Sequence, residues 1–165
     1  HMVELVDWCR FLVDREPTSV TGVAHRSGTG LYETDYEMLS LSFSAAPHGG
    51  DQPVTAQLSC GHYLPDSWPE AISFRPPTAL QIACENGVAF IDLPSTVTWF
   101  DNSGRHRESL EADRPVGEQL LQHFVRAVTS LVRRQSDLND AYRSMAIVLA
   151  GRESEKEGRR IEIGG

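Results

Sequence analysis

Residues 39–44 (LSLSFS) and 54–60 (VTAQLSC) alternate apolar with small polar side chains. A period of two places alternate residues on opposite faces of a β-strand, so each stretch predicts a strand with one apolar face. The other face carries Ser, Thr and Gln rather than long charged side chains. We therefore expect a sheet with helices packed on one face only. Its polar face meets solvent, another protein surface or a small polar ligand.

The same alternation continues at residues 80–84 and 96–100. Asn86-Gly87 is a strong signal for a tight hairpin turn, because both residues tolerate positive φ. Residues 101–104 (DNSG) indicate a second hairpin. Short turns cannot join parallel strands, so the sheet is expected to be mainly antiparallel.

Stretches with helical periodicity precede and follow these strands in the sequence. Apolar residues recur every three or four positions from Met2 to Val13, then from 120 to 132, and again from Ser136 toward Gly158. Residues 159–163 alternate and predict a closing strand. The predicted fold class is α+β, an open and mainly antiparallel sheet with helices on one face, in a single domain over residues 1–165.

Composition excludes several function classes. The 165 residues carry 15 Lys and Arg against 23 Asp and Glu, a net charge of −8. We expect no nucleic-acid partner, because nucleic acid calls for a basic surface. No apolar run approaches the roughly 20 residues of a spanning helix, so no membrane partner is expected either. The 3 cysteines cannot all pair, which favours a reducing, cytoplasmic location.

Motifs for bound groups are scarce. Residues 27–30 (SGTG) lack the third glycine that opens a helix under a pyrophosphate, so we expect this chain to bind no cofactor. Cys60 and His62 offer two metal ligands where a zinc site needs three or four, so no metal site is expected. No nucleophile motif of a hydrolase is present.

One pair has the spacing of a catalytic site. His1 and Glu4 are three residues apart on the first predicted helix and share a face, so an imidazole and a carboxylate could meet one substrate hydroxyl. His1-Met2 is either native or the remnant of an expression vector. Proline-rich residues 65–79 predict a loop. Either Trp68, Phe74 and Arg75 form the rim of a pocket, or Trp68 and Phe74 pack the loop onto the core.

The order of elements and several phrases together resemble the C-terminal domain of the glucose-fructose oxidoreductase and inositol dehydrogenase (Gfo/Idh/MocA-like) family. The phrases are Val6-Asp7-Trp8 with Leu12, residues 16–20 (EPTSV), residues 84–88 (CENGV), residues 120–128 around Phe124, Asp140-Ala141, and Glu153-Ser154 through Gly158-Arg159. The resemblance spans nearly the whole chain. It implies an N-terminal Rossmann domain, missing from this chain, that holds NAD or NADP and supplies a catalytic lysine.

By this resemblance, His1 matches the family's catalytic histidine and Glu4 its substrate-contacting aspartate, one methylene longer. The loop before the central hairpin lies near substrate in the family, which adds His62, Tyr63, Trp68 and Arg75 as substrate-binding candidates. The alternative for His62 and Tyr63 is that they cap the sheet edge.

The resemblance implies the substrate-binding and oligomerisation domain of an NAD(P)-dependent oxidoreductase acting on a sugar, polyol or related hydroxy compound. We expect a homo-oligomer through the sheet face, and an isolated chain that is inactive. The alternative is a non-enzymatic interaction module, whose polar sheet face pairs with a copy of itself or with a separate subunit.

Overall fold

The computed structural model describes residues 1–25, 36–44, 52–61, 80–92, 96–109, 115–129 and 136–164. Its elements in chain order are α1 (Met2–Val13), β1 (Ser19–His25), β2 (Tyr36–Phe43), β3 (Val54–Gly61), β4 (Leu80–Cys84), β5 (Gly87–Asp92), β6 (Thr96–Asp101), β7 (Gly104–Ser109), α2 (Val116–Thr129), α3 (Ser136–Glu157) and β8 (Ile161–Glu162). They divide between two compact units. The first unit is His1–Pro65 with Arg134–Gly165, and the second is Asp66–Arg133.

The first unit contains a four-stranded sheet, here called the first sheet, in the order β3-β2-β1-β8 with every pair antiparallel. Register pairs Val20 with Leu41 and Leu41 with Ala56, so these apolar residues share one face. Helices α1 and α3 supply the rest of the core. Its buried apolar residues are Met2, Val6, Cys9, Val20, Leu39, Leu41, Phe43, Ile147 and Val148.

The opposite face of the first sheet has the predicted polar character. Its rows, exposed or half-buried, include Thr21, Ser40 and Gln57 across the middle, with Ser42 beside Thr55 and Met38 beside Ser59. The face also carries Val23, which is exposed. The division of the strands into an apolar and a polar face is therefore confirmed for this unit.

Helix α3 lies unusually close to the first sheet because small residues meet at the contact. A Cβ added to Gly22 would collide with the backbone carbonyl of Gly151, and one added to Gly151 would collide with the Leu39 side chain. Ser154, fully buried, accepts a hydrogen bond from the Gly22 N–H at 3.0 Å and donates one to the Arg159 carbonyl at 2.6 Å. The helix ends at Gly158, whose φ of 64° is the left-handed conformation that glycine favours.

Arg10 joins α1 to α3. Its side chain is only 8% exposed and forms two hydrogen bonds with Glu16, at 2.8 and 2.6 Å. It also donates to the Ser144 hydroxyl at 2.9 Å, and to the carbonyl and carboxylate of Asp140 at 3.0 and 3.1 Å. The side-chain hydrogen bond to Glu16 is the largest influence on the pKa of Arg10, and it holds that pKa above its ordinary value despite burial. The guanidinium is thus a fully charged centre with carboxylates on both sides.

The second unit contains a second antiparallel sheet, in the order β4-β5-β6-β7, together with α2. The β4–β5 hairpin is present, but its turn residues are Glu85 and Asn86, one position before the predicted pair. Gly87 already pairs with Cys84 in the ladder. A Cβ there would collide with the Phe100 carbonyl, so this glycine serves a close approach between strands rather than a positive φ.

Helix α2 shows the stripe predicted for residues 120–132 over the part that the structure describes. Its apolar members are exposed: Leu120, Leu121, Phe124, Val125 and Val128. No helix within the described ranges has the length and apolar character needed to cross a bilayer.

The α+β class and the antiparallel pairing are confirmed, with the difference that the described strands form two sheets. The pairing between separate hairpins depends on contacts far apart in sequence, which local periodicity does not encode. The assignment of residues 1–165 to one domain stays a prediction.

Candidate active site

The predicted pair His1 and Glu4 comes together at the start of α1. The His1 Nδ1 and Glu4 Oε2 atoms are 3.5 Å apart, and the two side chains are 83% and 75% exposed. The spacing of three residues on a helix accounts for this contact. The imidazole is therefore directed outward beside a carboxylate, with its second nitrogen available to a hydroxyl group.

Large apolar side chains continue the face of α1 that carries this pair. Trp8 and Leu12 are about half exposed, and Phe11 is 82% exposed. The buried face of the helix, with Val6 and Cys9, lies on the opposite side. Soluble proteins seldom leave such a stripe uncovered, so this face has the character of a surface that another protein element covers.

Cys60 lies near the end of β3, opposite Glu37 of β2. Burial is the main cause that raises the pKa of the Cys60 thiol, and the negative charge of Glu37 raises it further. The guanidinium of Arg152 lowers it. Arg152 of α3 bonds Glu37, so β2, β3 and α3 meet at this end of the first sheet. Helix α1 is antiparallel to α3, because Asp7 bonds Ser144 and Arg10 bonds Asp140, so the start of α1 lies toward the same end. The cysteine itself is not an activated nucleophile, because its thiolate is disfavoured.

Glu37 and Arg152 are the charged residues of this region that the sequence interpretation missed. Glu37 is buried on the helix-facing side of β2 and accepts a hydrogen bond from Arg152 Nε at 3.2 Å. A signal was present, because Glu37 occupies the apolar phase of the alternation that continues through Leu39 and Leu41. A charge in that phase must be paired when buried, and a partner should have been sought.

His62, Tyr63, Trp68 and Arg75 all lie outside the described residues. Their proposed roles stay predictions. Residue 61, where β3 ends, is directly followed by that segment, so the chain enters it from the same end of the first sheet.

A second cluster of polar side chains lies on the β6–β7 hairpin of the second unit. Asp101 accepts hydrogen bonds from the Ser103 N–H and hydroxyl and lies 3.1 Å from His106 Nε2. The bonds from Ser103, then that from His106, lower the pKa of Asp101 to about 2. Trp99 stacks on the His106 ring at 5.0 Å. Ser103 and Asp101 approach the same ring nitrogen, so the cluster lacks the serine–histidine–aspartate relay of a hydrolase and stabilises the turn.

The described residues also bear on bound groups. Among them, no three His, Cys, Asp or Glu side chains are grouped to hold a metal ion. Every strand pairing they form is antiparallel. A dinucleotide is held by a parallel βαβ unit with a glycine-rich turn, so these residues do not fit such a cofactor.

Comparison with known proteins adds a fold relationship. No protein-family model matches the chain, and no curated protein matches it in sequence. Solved structures do match. An aldose-aldose oxidoreductase from Caulobacter crescentus complexed with glycerol is 13% identical with a TM-score of 0.75, and the match covers 98% of this chain and 46% of that one.

Two further structures match to a similar extent. An oxidoreductase from Agrobacterium radiobacter, in complex with NAD+, L-tartaric acid and magnesium, is 15% identical with a TM-score of 0.70, over 97% of this chain and 47% of that one. UDP-N-acetylglucosamine 3-dehydrogenase from Acidithiobacillus ferrooxidans is 17% identical with a TM-score of 0.67, over 94% and 47%.

This chain therefore spans about half the length of the solved proteins that it matches. Their matched part is the C-terminal half. The chain has the fold of the C-terminal half of Gfo/Idh/MocA-type oxidoreductases.

Proposed function

We propose that this chain is the substrate-binding and oligomerisation domain of an NAD(P)-dependent oxidoreductase that acts on a sugar, polyol or related hydroxy compound. The observation that carries the proposal is the fold match over almost the entire chain to one half of several oxidoreductases. Some of these contain NAD+ or small hydroxylated ligands. The exposed His1–Glu4 pair and the uncovered apolar face of α1 agree with a site completed by a second domain.

Oxidation of an alcohol removes a proton from the hydroxyl and a hydride from the carbon. A nicotinamide cofactor takes the hydride, and its binding is not assigned to this chain, since the described residues lack a dinucleotide fold. His1 is the residue that we assign to the proton. One imidazole nitrogen faces Glu4 at 3.5 Å, which orients the ring and leaves the other nitrogen to accept the hydroxyl proton.

The substrate side of the proposal extends to the untested candidates. His62, Tyr63, Trp68 and Arg75 would supply hydrogen bonds and an apolar wall to the hydroxylated substrate. The outer face of the first sheet, which carries Thr21, Ser40 and Gln57 across β1, β2 and β3, would pair with a second copy of the chain. Burying hydroxyl and amide groups in an interface costs little free energy, provided that new hydrogen bonds replace those with water.

That outer face also favours one alternative, a non-enzymatic module that only dimerises. The coding sequence upstream of residue 1 separates the two functions. A strand followed by a glycine-rich turn some 130 residues upstream, roughly one domain length, favours the oxidoreductase. A start codon at Met2 favours the module and would overturn the proposal.

The activity test uses the protein expressed from its full reading frame. We expect His1→Ala to lower kcat for reduction of NAD(P)+ by about 10²–10⁴-fold, while His25→Ala, at the end of β1, leaves it unchanged. Equal activity of both variants would remove His1 from the mechanism. We also expect this chain alone to give no saturable change in NADH fluorescence, and micromolar binding would contradict the assignment of the cofactor to another domain.

A further inference from the structure

In the ion pair between Glu37 and Arg152 the carboxylate is buried and the guanidinium is exposed, whereas both partners are exposed in the pairs of Arg143, Arg159 and Arg160. The Glu37 side chain is 9% exposed, whereas the Arg152 side chain is 52% exposed. A carboxylate is costly to bury, and a single hydrogen bond to Nε repays only part of that cost. Glu37 thus holds the Arg152 guanidinium from the side of the first sheet, while the rest of the guanidinium is open to solvent.

The contact through Nε has a geometric consequence. A guanidinium is planar, with five N–H donors in a fixed fork. When Nε faces Glu37, the edge formed by the two terminal nitrogens is directed elsewhere, and in the described part of the chain no hydrogen bond from that edge is present. This edge carries two parallel donors and can receive carboxylate or phosphate oxygens in a two-point contact.

The location of Arg152 connects this geometry with the candidate active site. Its partner Glu37 lies opposite Cys60 in the first sheet. Helices α1 and α3 are antiparallel, because Asp7 bonds Ser144 whereas Arg10, one turn later on α1, bonds Asp140, one turn earlier on α3. The first turn of α1 thus lies toward the part of α3 that carries Arg152. Arg152 therefore lies at the same end of the first sheet as the His1–Glu4 pair. We propose that Arg152, held by Glu37, is a specificity-determining residue that binds an oxyanion substituent of the substrate, a carboxylate or a phosphate. This inference rests on the proposed function, because it assigns a substrate class to that same site.

The test measures the binding of three probes to this chain by NMR titration: glucose, glucuronate and glucose 6-phosphate. We expect the better of the two anionic sugars to bind at least about tenfold more tightly than glucose. The two anions distinguish a carboxylate from a phosphate site. Arg152→Lys keeps the charge but loses the fork, and we expect it to reduce the anion preference to about threefold or less. Glu37→Gln should reduce it as well, while glucose affinity stays unchanged.

Arg159→Gln is the matched control. Arg159 also bonds a carboxylate through Nε, that of Glu157 at 2.6 Å, but this acid is 41% exposed and the pair lies at the C-terminal end of α3, beyond Arg152. Its loss should leave the anion preference intact. Circular dichroism verifies the fold of each variant.

Three results would overturn the inference. Equal affinity for glucose and both anions would refute it and leave the proposed function standing. If Arg159→Gln lowered the anion preference as much as Arg152→Lys does, the preference would come from unspecific attraction to positive charges rather than from a site at Arg152. If no probe binds, Arg152 does not form a site on this chain, and the proposed substrate-binding function loses support too.

Discussion

Replacement of Arg10 by methionine should destabilise the first unit by about 2–3 kcal/mol. A buried ion pair that loses one partner costs about 3–5 kcal/mol, because the remaining charge is left without compensation. Here the carboxylates of Glu16 and Asp140 are 40% and 49% exposed, so water replaces part of what the guanidinium supplied. Ser144 is fully buried, so water replaces less of the hydrogen bond that its hydroxyl accepts from Arg10.

Urea unfolding followed by circular dichroism measures this change, which corresponds to a fall in Tm of about 4–12 °C for a chain of this size. Arg143→Met is the matched control, because Arg143 also bonds Glu16 Oε1, at 3.0 Å, but is 58% exposed. Its loss should cost no more than about 1 kcal/mol. If the two variants were destabilised equally, or Arg10→Met by less than about 1 kcal/mol, burial would not be what makes Arg10 important.

Three other predictions concern the same unit. Hydrogen bonds from Arg10 lower the pKa of Glu16 although burial raises it. The Glu16 carboxylate therefore stabilises the folded state at pH values above its pKa in the unfolded chain, and this stabilisation is lost as the pH falls through its pKa in the folded chain. Stability measured by urea should drop between roughly pH 5 and 3, and an equal drop in Arg10→Met would contradict this. Gly22→Ala should lose about 2–3 kcal/mol through collision with the backbone of α3, whereas Gly117→Ala, with open space around its Cβ, should lose nothing. Phe11→Glu should change stability by less than about 0.5 kcal/mol and reduce binding of an apolar dye, and a larger loss would show that this side chain is covered.

Local structure was predictable wherever a periodic pattern had clear boundaries. Helix α1 has the predicted bounds, and Gly158 ends α3 as expected. The β4–β5 turn was predicted one residue late, because Gly87 is required by the nearby Phe100 carbonyl rather than by the turn. Sequence patterns indicate which residue is special but do not always give the reason.

Contacts between distant segments were not predictable. The bonds from Arg10 to Asp140 and Ser144 span about 130 residues, and no local period connects them. The same holds for Glu37 and Arg152, of which only the misplaced charge on β2 was visible in the sequence. At the candidate site, only His1 and Glu4 could be foreseen and observed, because they are neighbours on one helix.

The distribution of contacts along α1 separates stability from chemistry. The contacts between Arg10 and α3 lie near the C-terminal end of α1. Arg10 is nine residues from His1, or about 13 Å at the rise of an α-helix. Met2 belongs to the buried core, but substitutions at the exposed His1 and Glu4 leave the contacts of Arg10 intact. An engineer could exchange side chains there to alter which compounds are accepted, and natural drift could do the same, without first compensating for a weakened scaffold.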